Sequence, residues 1–426
     1  MRLTVVGGGS TYTPELIDGV LQRHSSLPVS EIVLVDIDSH RVDVVGRFAQ
    51  RMAQHVGVNI DIHWTNNLAV AVKNASFVVS QMRVGTQVAR HRDELLGREF
   101  GLIGQETVGI GGFAKALRTV PVALGIARTI EEHAPDAVLL NFTNPAGLVT
   151  QALRKHAPKV NTIGLCNVPW NVRAEIAGGM GVSFDDVHLD SIGLNHLSWV
   201  RGIRVGDQDI TDRALTEFSR LVGKQAADDD EPDWTAESVQ LMRAIPNYYL
   251  MYYYETAQQL KYQSGHPTRA SRVMEIEADL LRMYEDEDLV TKPAELMERG
   301  GAYYSDSAVQ LMADIHNDAG TVHVVNVEAA GAVPGVDATT VMEIPAIIDR
   351  RGATAIPTAA MRPDIDALVR TVKDFEWLTI AAAIDADEDA AMRALITNPL
   401  GPDMSTAPAL WKRMKEVNAG LFGALG

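Results

Sequence analysis

The stretch Arg2-Leu3-Thr4-Val5-Val6-Gly7-Gly8-Gly9-Ser10, taken with Glu31-Ile32-Val33-Leu34-Val35-Asp36, decides the fold. Both are short, β-branched apolar runs, the pattern of strands buried on both faces of a parallel sheet. The first ends in a glycine turn that leads into a helix near Pro14, a residue favoured in a first helical turn. The second ends in a carboxylate. In this order a helix N-terminus can face a pyrophosphate while the acid accepts hydrogen bonds from ribose hydroxyls. Gly7, Gly9, Ser10, Thr11 and Asp36 are therefore candidate cofactor residues, and Asp36 favours NAD over NADP by repelling a 2′-phosphate. Tyr12 stands where the third glycine of G-x-G-x-x-G would be, so a tight turn without a ligand is the competing reading.

Outward from this unit the alternation continues. Further strands are expected at 59–64, 76–81, 137–141 and 161–165, and Val42, Val45, Phe48, Ala49 and Met52 form a helical stripe. The expected architecture is α/β: a Rossmann-like, doubly wound parallel sheet over residues 1–195, followed by an α+β substrate domain over 196–426. In that second part, strands are expected at 197–205, 322–327 and 341–344. Helices are expected at 235–262, at 268–284 and from about Pro363 onward, and the acidic stretch 226–231 reads as a surface loop.

Of the 426 residues, 46% are hydrophobic and 22% charged, which is ordinary for a globular chain. The net charge of −17 opposes coating a nucleic acid, so an anionic substrate would have to be met by local arginines. The lone cysteine excludes an internal disulfide. No leader is visible and no apolar run approaches the ~20 residues of a membrane helix. A cytoplasmic protein without a membrane or nucleic-acid partner is expected.

That cysteine, Cys166, follows the 161–165 strand, and His196 lies in Gly193-Leu194-Asn195-His196-Leu197-Ser198. Thiolate and imidazole suit a divalent metal that keeps open positions for substrate oxygens. Taken singly, such a cysteine is more often a small buried hydrophobe than a ligand, and His196 reads equally as a satisfied core histidine. Asn144, in Asn141-Phe142-Thr143-Asn144-Pro145, could line a nicotinamide and substrate pocket or simply start a helix. Arg83, Arg90 and Arg92 follow the 76–81 strand and Arg269 opens a helix. Guanidinium forks there suit phosphate, although pairing with Asp93 and Glu94 explains them equally. Tyrosines 248, 249, 252, 253 and 254 surround a helical segment, and periodicity does not choose a base among them.

Several motifs in fixed order resemble the NAD- and metal-dependent glycoside hydrolases of family four. They include Gly7 to Leu16, Gly104-Gln105-Glu106-Thr107, Asn141 to Pro145, Cys166-Asn167-Val168-Pro169, Gly193 to Ser198, Arg299 to Ser305, His323-Val324-Val325-Asn326 and Asn398-Pro399-Leu400-Gly401-Pro402. This family stands outside the usual two-carboxylate glycosidase scheme. Cys-Asn-Val-Pro is similar to the 6-phospho-β-glucosidase branch; the α-glucoside branch usually carries Asp at the place of Asn167. The resemblance implies Cys166 and His196 as ligands to Mn²⁺ or another divalent ion, and Tyr249 as base. It implies Asn167 as a further catalytic residue beside the substrate together with Asn144, and Arg90 and Arg269 on the sugar 6-phosphate. The implied reaction is hydrolysis of a phosphorylated disaccharide or β-glucoside by transient oxidation at C3, deprotonation at C2 and elimination at C1. The implied assembly is a homodimer or homotetramer. The amino-terminal half alone would also permit an NAD-dependent 2-hydroxyacid dehydrogenase, or a non-catalytic NAD sensor.

Overall fold

The computed structural model describes residues 1–225, 231–299 and 304–425. Its main sheet is built from β1 (Arg2–Val6), β2 (Glu31–Val35), β3 (Asp61–Thr65), β4 (Phe77–Ser80), β5 (Val138–Asn141) and β6 (Asn161–Gly164). Four strands follow in a smaller antiparallel sheet: β7 (Val187–Leu194), β8 (Leu197–Val205), β9 (Gln208–Asp209) and β10 (Ile245–Pro246). Then come β11 (Thr321–Glu328), β12 (Val341–Asp349) and β13 (Gly352–Ala355). The nine-stranded order is β13-β12-β11-β6-β5-β4-β1-β2-β3, and its last six places are the parallel order of a dinucleotide fold. Alternate residues explain why both faces are covered. Leu3, Val5, Ile32 and Leu34 join one apolar core while Val6, Val33, Val35 and Val78 join another.

The second half does more than cap this sheet. β11 runs antiparallel against β6, with Asn326 opposite Gly164, and β12 and β13 continue outward. Gly164 permits that approach, since a Cβ there would lie 2.3 Å from Thr150 Oγ1 and 2.8 Å from Asn326 Cβ. The division expected between 195 and 196 falls inside the β7–β8 hairpin, where Leu194 pairs with Leu197 across the turn. The packing therefore does not divide there, because the pairing energy of one ladder spans the point. Of the acidic stretch 226–231, residues 226–230 lie outside the described residues.

The long helix expected over 235–262 is broken. Ala236–Met242 is helical, Ile245–Pro246 pairs with β8, and a 3₁₀ turn at Tyr248–Leu250 precedes the short helices Met251–Tyr254 and Thr256–Gly265. Pro246 has no N–H for an interior helical bond, and the Asn247 side chain instead caps the following turn through Tyr249 N–H.

One helix, Gly109–His133, is long and apolar enough to cross a membrane, contrary to the expectation that no such run exists. Of its most apolar window 83% is buried within the fold, where it packs against both cores. Two of its cations are buried with partners: Lys115 on Glu106 and Arg118 on Asp93. Arg118 donates to Asp93 at 2.6 Å, to Val84 O at 3.0 Å and to Asn418 Oδ1 at 3.3 Å, tying the core helix to the far end of the chain. Arg118→Met would strand the Asp93 carboxylate without its counter-charge. The expected cost is about 3–5 kcal/mol, seen as an earlier urea midpoint, with part of it recovered by adding Asp93→Asn.

Candidate active site

The parallel order reverses direction between β1 and β4, and a cavity of about 1720 Å³ opens beyond their carboxyl ends. The glycine turn lines one end. Gly7 has φ +82, and a Cβ there would meet Met82 Cα at 2.8 Å, so backbone alone fits. Asp36 accepts a hydrogen bond from Gly9 N–H at 2.9 Å and from Asp38 N–H at 3.1 Å, which holds its carboxylate at the cavity wall. Ser10 also lines the wall. Thr11 does not: its side chain is fully buried behind the turn, and its carbonyl accepts the Tyr284 hydroxyl at 2.8 Å. The expected cofactor contact of Thr11 is therefore left to its backbone N–H.

At the other end, Asn144, Asn167, His196, Tyr249, Arg90 and Arg269 share the same cavity. His196 is the second residue of the tight β7–β8 turn, with φ +65, and its ring lies stacked on Tyr249 at 3.9 Å between centroids. Its Nδ1 is buried without a hydrogen-bond partner, and burial lowers its pKa to about 3. A buried, neutral imidazole nitrogen with no donor facing it is what a metal ligand requires.

Cys166 caps the helix Asn167–Met180 and is buried. It lies just behind the main cavity, lining a small void with Trp170, Arg173 and His323. Burial and the Glu343 carboxylate push its thiol pKa up, against the Val168 N–H, the Asn195 side chain and the Asn167 N–H. A bound cation would reverse that balance. Tyr249 registers the charge of Cys166, and the side chain of Asn195, the residue before His196, hydrogen-bonds Cys166. The two loops therefore meet around Asn195 and Tyr249. Among the described residues, no group of three or more His, Cys, Asp or Glu side chains is arranged to hold a metal, so the pair would leave coordination positions open.

A carboxylate that the motif reading left without a role organises this meeting. Glu343, fully buried on β12, accepts from Asn195 Nδ2 at 3.1 Å and Ser198 Oγ at 2.7 Å. Ser198 Oγ accepts in turn from Asn247 Nδ2 at 3.2 Å, and Asn247 Oδ1 holds Tyr249 N–H at 3.1 Å. No sequence signal exposed this chain, because its members come from four separate elements.

The arginines occupy the remaining wall. Arg90 is buried, donating from Nε to Glu94 at 2.7 Å and lying 3.2 Å from Glu106. Burial opposes its charge, but Glu106 and Glu94 outweigh that and hold it more firmly than usual. Glu94 also accepts Ala270 N–H at 3.0 Å, which fixes the start of the Arg269–Glu285 helix beside Arg90. Arg269 is exposed, with one bond to Glu298 O at 2.8 Å, and partial burial and the charge of Arg90 lower its pKa. Arg83 pairs with Glu106, whereas Arg92 points outward to Val417 O at 3.3 Å. The pairing of Arg90 with Glu94 is thus real and coexists with a place in the cavity.

Burial, Glu106 and Cys166 raise the Tyr249 pKa; the strongest opposing charges are Arg90 and Arg83.

A Rossmann-type sheet, a strand-end carboxylate at its glycine turn and a cleft of buried ionisable groups define a nucleotide-dependent enzyme. The chain belongs to the family 4 glycosyl hydrolases, whose models match residues 2–182 and, for the C-terminal domain, 191–401. It is similar to a probable 6-phospho-β-glucosidase of Bacillus subtilis (36% identity, covering 98% of this chain and 96% of that one). It is equally similar to the 6-phospho-β-glucosidase BglT of Thermotoga maritima (36% identity, 98% of both chains). A solved structure of the Thermotoga maritima 6-phospho-β-glucosidase with NAD and glucose 6-phosphate superposes with TM-score 0.92 at 33% identity over 98% of both chains. A second, with manganese, NAD⁺ and glucose 6-phosphate, matches as well. This full-length membership displaces the dehydrogenase and sensor readings.

Because its pKa sits near 3, the His196 ring should stay neutral from pH 8 to pH 5. In histidine ¹³C NMR, assigned by loss of the signal in His196→Asn, it should not titrate where an ordinary histidine near ~6.5 does.

Proposed function

We propose that this chain hydrolyses 6-phospho-β-glucosides, cellobiose 6-phosphate among them, to glucose 6-phosphate, using NAD and a divalent metal such as Mn²⁺. The observation that carries the reading is the convergence, in one cavity, of the glycine turn with Asp36, the orphaned His196 nitrogen stacked on Tyr249, and Arg90 beside Arg269. Relatives that bear the 6-phospho-β-glucosidase name over the full length support it.

In this reading Gly7, Gly9, Ser10 and Asp36 hold the dinucleotide, with Asn144 near its nicotinamide end. Cys166 and His196 hold the metal. When bound, the coenzyme supplies reversible hydride acceptance at C3 and the cation supplies Lewis acidity at the neighbouring oxygens. Arg90 and Arg269 bind the 6-phosphate and so fix which face of the pyranose meets Tyr249. A sugar C2–H is too weak an acid for a side chain until C3 is a carbonyl; then Tyr249 removes the C2 proton. Asn167 and Asn144 orient the sugar hydroxyls. The C1–O bond breaks by elimination with the leaving oxygen taking up a proton, water adds at C1, a proton returns to C2, and the C3 carbonyl is reduced back to the alcohol, so the net reaction is hydrolysis. We place the enzyme in the cytoplasm, as a homodimer or homotetramer with no nucleic-acid or membrane partner.

The direct test compares 4-nitrophenyl β-glucoside with its 6-phosphate, in NAD⁺ and Mn²⁺. The phosphorylated substrate should be favoured by about 10²-fold or more in kcat/KM, the loss of roughly 2.7 kcal/mol of charge-assisted binding, and Arg269→Ala should erase much of that preference. Equal rates would remove the role of both arginines. Glu343→Gln should weaken Mn²⁺ binding, followed by electron paramagnetic resonance, by about 10–100-fold. Unchanged affinity would reduce the buried chain behind the ligands to packing.

A further inference from the structure

Oxidising a C3 hydroxyl releases a proton as well as a hydride, and the groups so far assigned leave that proton without an acceptor. Lys115 projects from the core helix Gly109–His133 into the same cavity, 2% exposed. Its Nζ has one hydrogen-bond partner among the described residues, Glu106 at 2.6 Å, which takes one N–H and leaves the lone pair of the neutral amine for a substrate hydroxyl. We propose that Lys115 accepts the proton of the sugar's C3 hydroxyl during oxidation and returns it during reduction, a role that rests on the function proposed above.

Placement supports it. Arg90, Tyr249, Glu106 and Lys115 line the same cavity, and Tyr249 registers the charge of Arg90. Glu106 touches Arg90, Arg83 and Lys115, and its charge is felt by both His196 and Tyr249. C3 is bonded directly to C2, so the base for the C3 hydroxyl must lie close to Tyr249. Glu106 itself is a poor base there: Arg83 and Arg90, joined by Lys115 when it is charged, outweigh its burial and hold its pKa well below the usual carboxylate range. Lys115 is the opposite case. Burial and Arg83 pull its pKa down to about 7, against Glu106, with Arg90 adding to the fall. The other charged or titratable groups that register Lys115 are His196 and Asp93.

The balance is simple. The C3–H bond breaks with its electron pair going to the nicotinamide ring, the O3–H proton passes to the neutral amine, and C3 becomes a carbonyl. In the return step the ammonium gives its proton back to O3.

Lys115→Arg is the discriminating variant, since arginine keeps the ion pair with Glu106 but cannot be deprotonated. It should retain NAD⁺ and glucose 6-phosphate binding by calorimetry while losing about 10²-fold or more in kcat on 4-nitrophenyl 6-phospho-β-glucoside. The isotope effect from deuterium at C3 should rise, and Lys115→Ala should be partly rescued by added methylamine. Near wild-type kcat in Lys115→Arg, a loss confined to KM, or an unchanged isotope effect without amine rescue would overturn the role. A wild type inert on this substrate would overturn the proposed function and Lys115 with it; an active wild type beside an active Lys115→Arg overturns Lys115 alone.

Discussion

The buried carboxylate of Glu343 is the constraint on which the site depends. It sits in the main sheet, yet the groups it holds belong to the hairpin and the broken segment that lie over that sheet. A carboxylate taken fully out of water costs several kcal/mol unless its lone pairs are met, and here Asn195 and Ser198 meet them. Burial still raises its pKa, so its negative charge is held at a cost that a cation bound nearby would offset. Moving any member of the Asn195–Glu343–Ser198–Asn247 chain would leave another unsatisfied. The sheet thus dictates where the β7–β8 turn and Tyr249 can lie, and with them the stack of Tyr249 on His196.

The second organising element is the cluster of Glu106 with Arg83, Arg90 and Lys115. In a chain of net charge −17, a cleft for an anion cannot rely on the overall field. Three cations are instead gathered around one carboxylate, which makes their burial tolerable while leaving the group net positive. Glu94 extends the device by tying Arg90 to the start of the helix that carries Arg269. Binding and proton chemistry therefore share one preorganised framework and need no large rearrangement of the arginines.

The two halves of the chain are interlocked at several places. β11 seals the edge of β6 through the Asn326–Gly164 contact, and Arg118 links Asp93 to Asn418. Glu277 takes Arg41 from the first half and Arg299 from the second, at 3.2 and 3.0 Å, beside the glycine turn. Arg41 also donates to Gly9 O at 3.1 Å. The nucleotide end of the cavity is thus built from both halves, which is why a boundary drawn at a single residue describes the packing poorly.

Much was legible in local sequence. Strands β1 to β6, the glycine turn, Asp36 at the end of β2 and the helix beginning at Arg269 follow from periodicity and capping, and these depend on neighbours a few residues apart. The motifs named the family's residues. Local pattern could not show that Thr11 turns inward, that Pro246 and Asn247 break a helix so that Tyr249 reaches His196, or that Cys166 lies behind the wall. Nor could it reveal Glu343 and Lys115. A lone Glu in a strand and a lone Lys in an apolar helix carry no signal until burial and partners are known. Elements are set by short-range periodicity, which a sequence displays; charge state and reach are set by desolvation and by groups brought from hundreds of residues away, which only the packed structure decides.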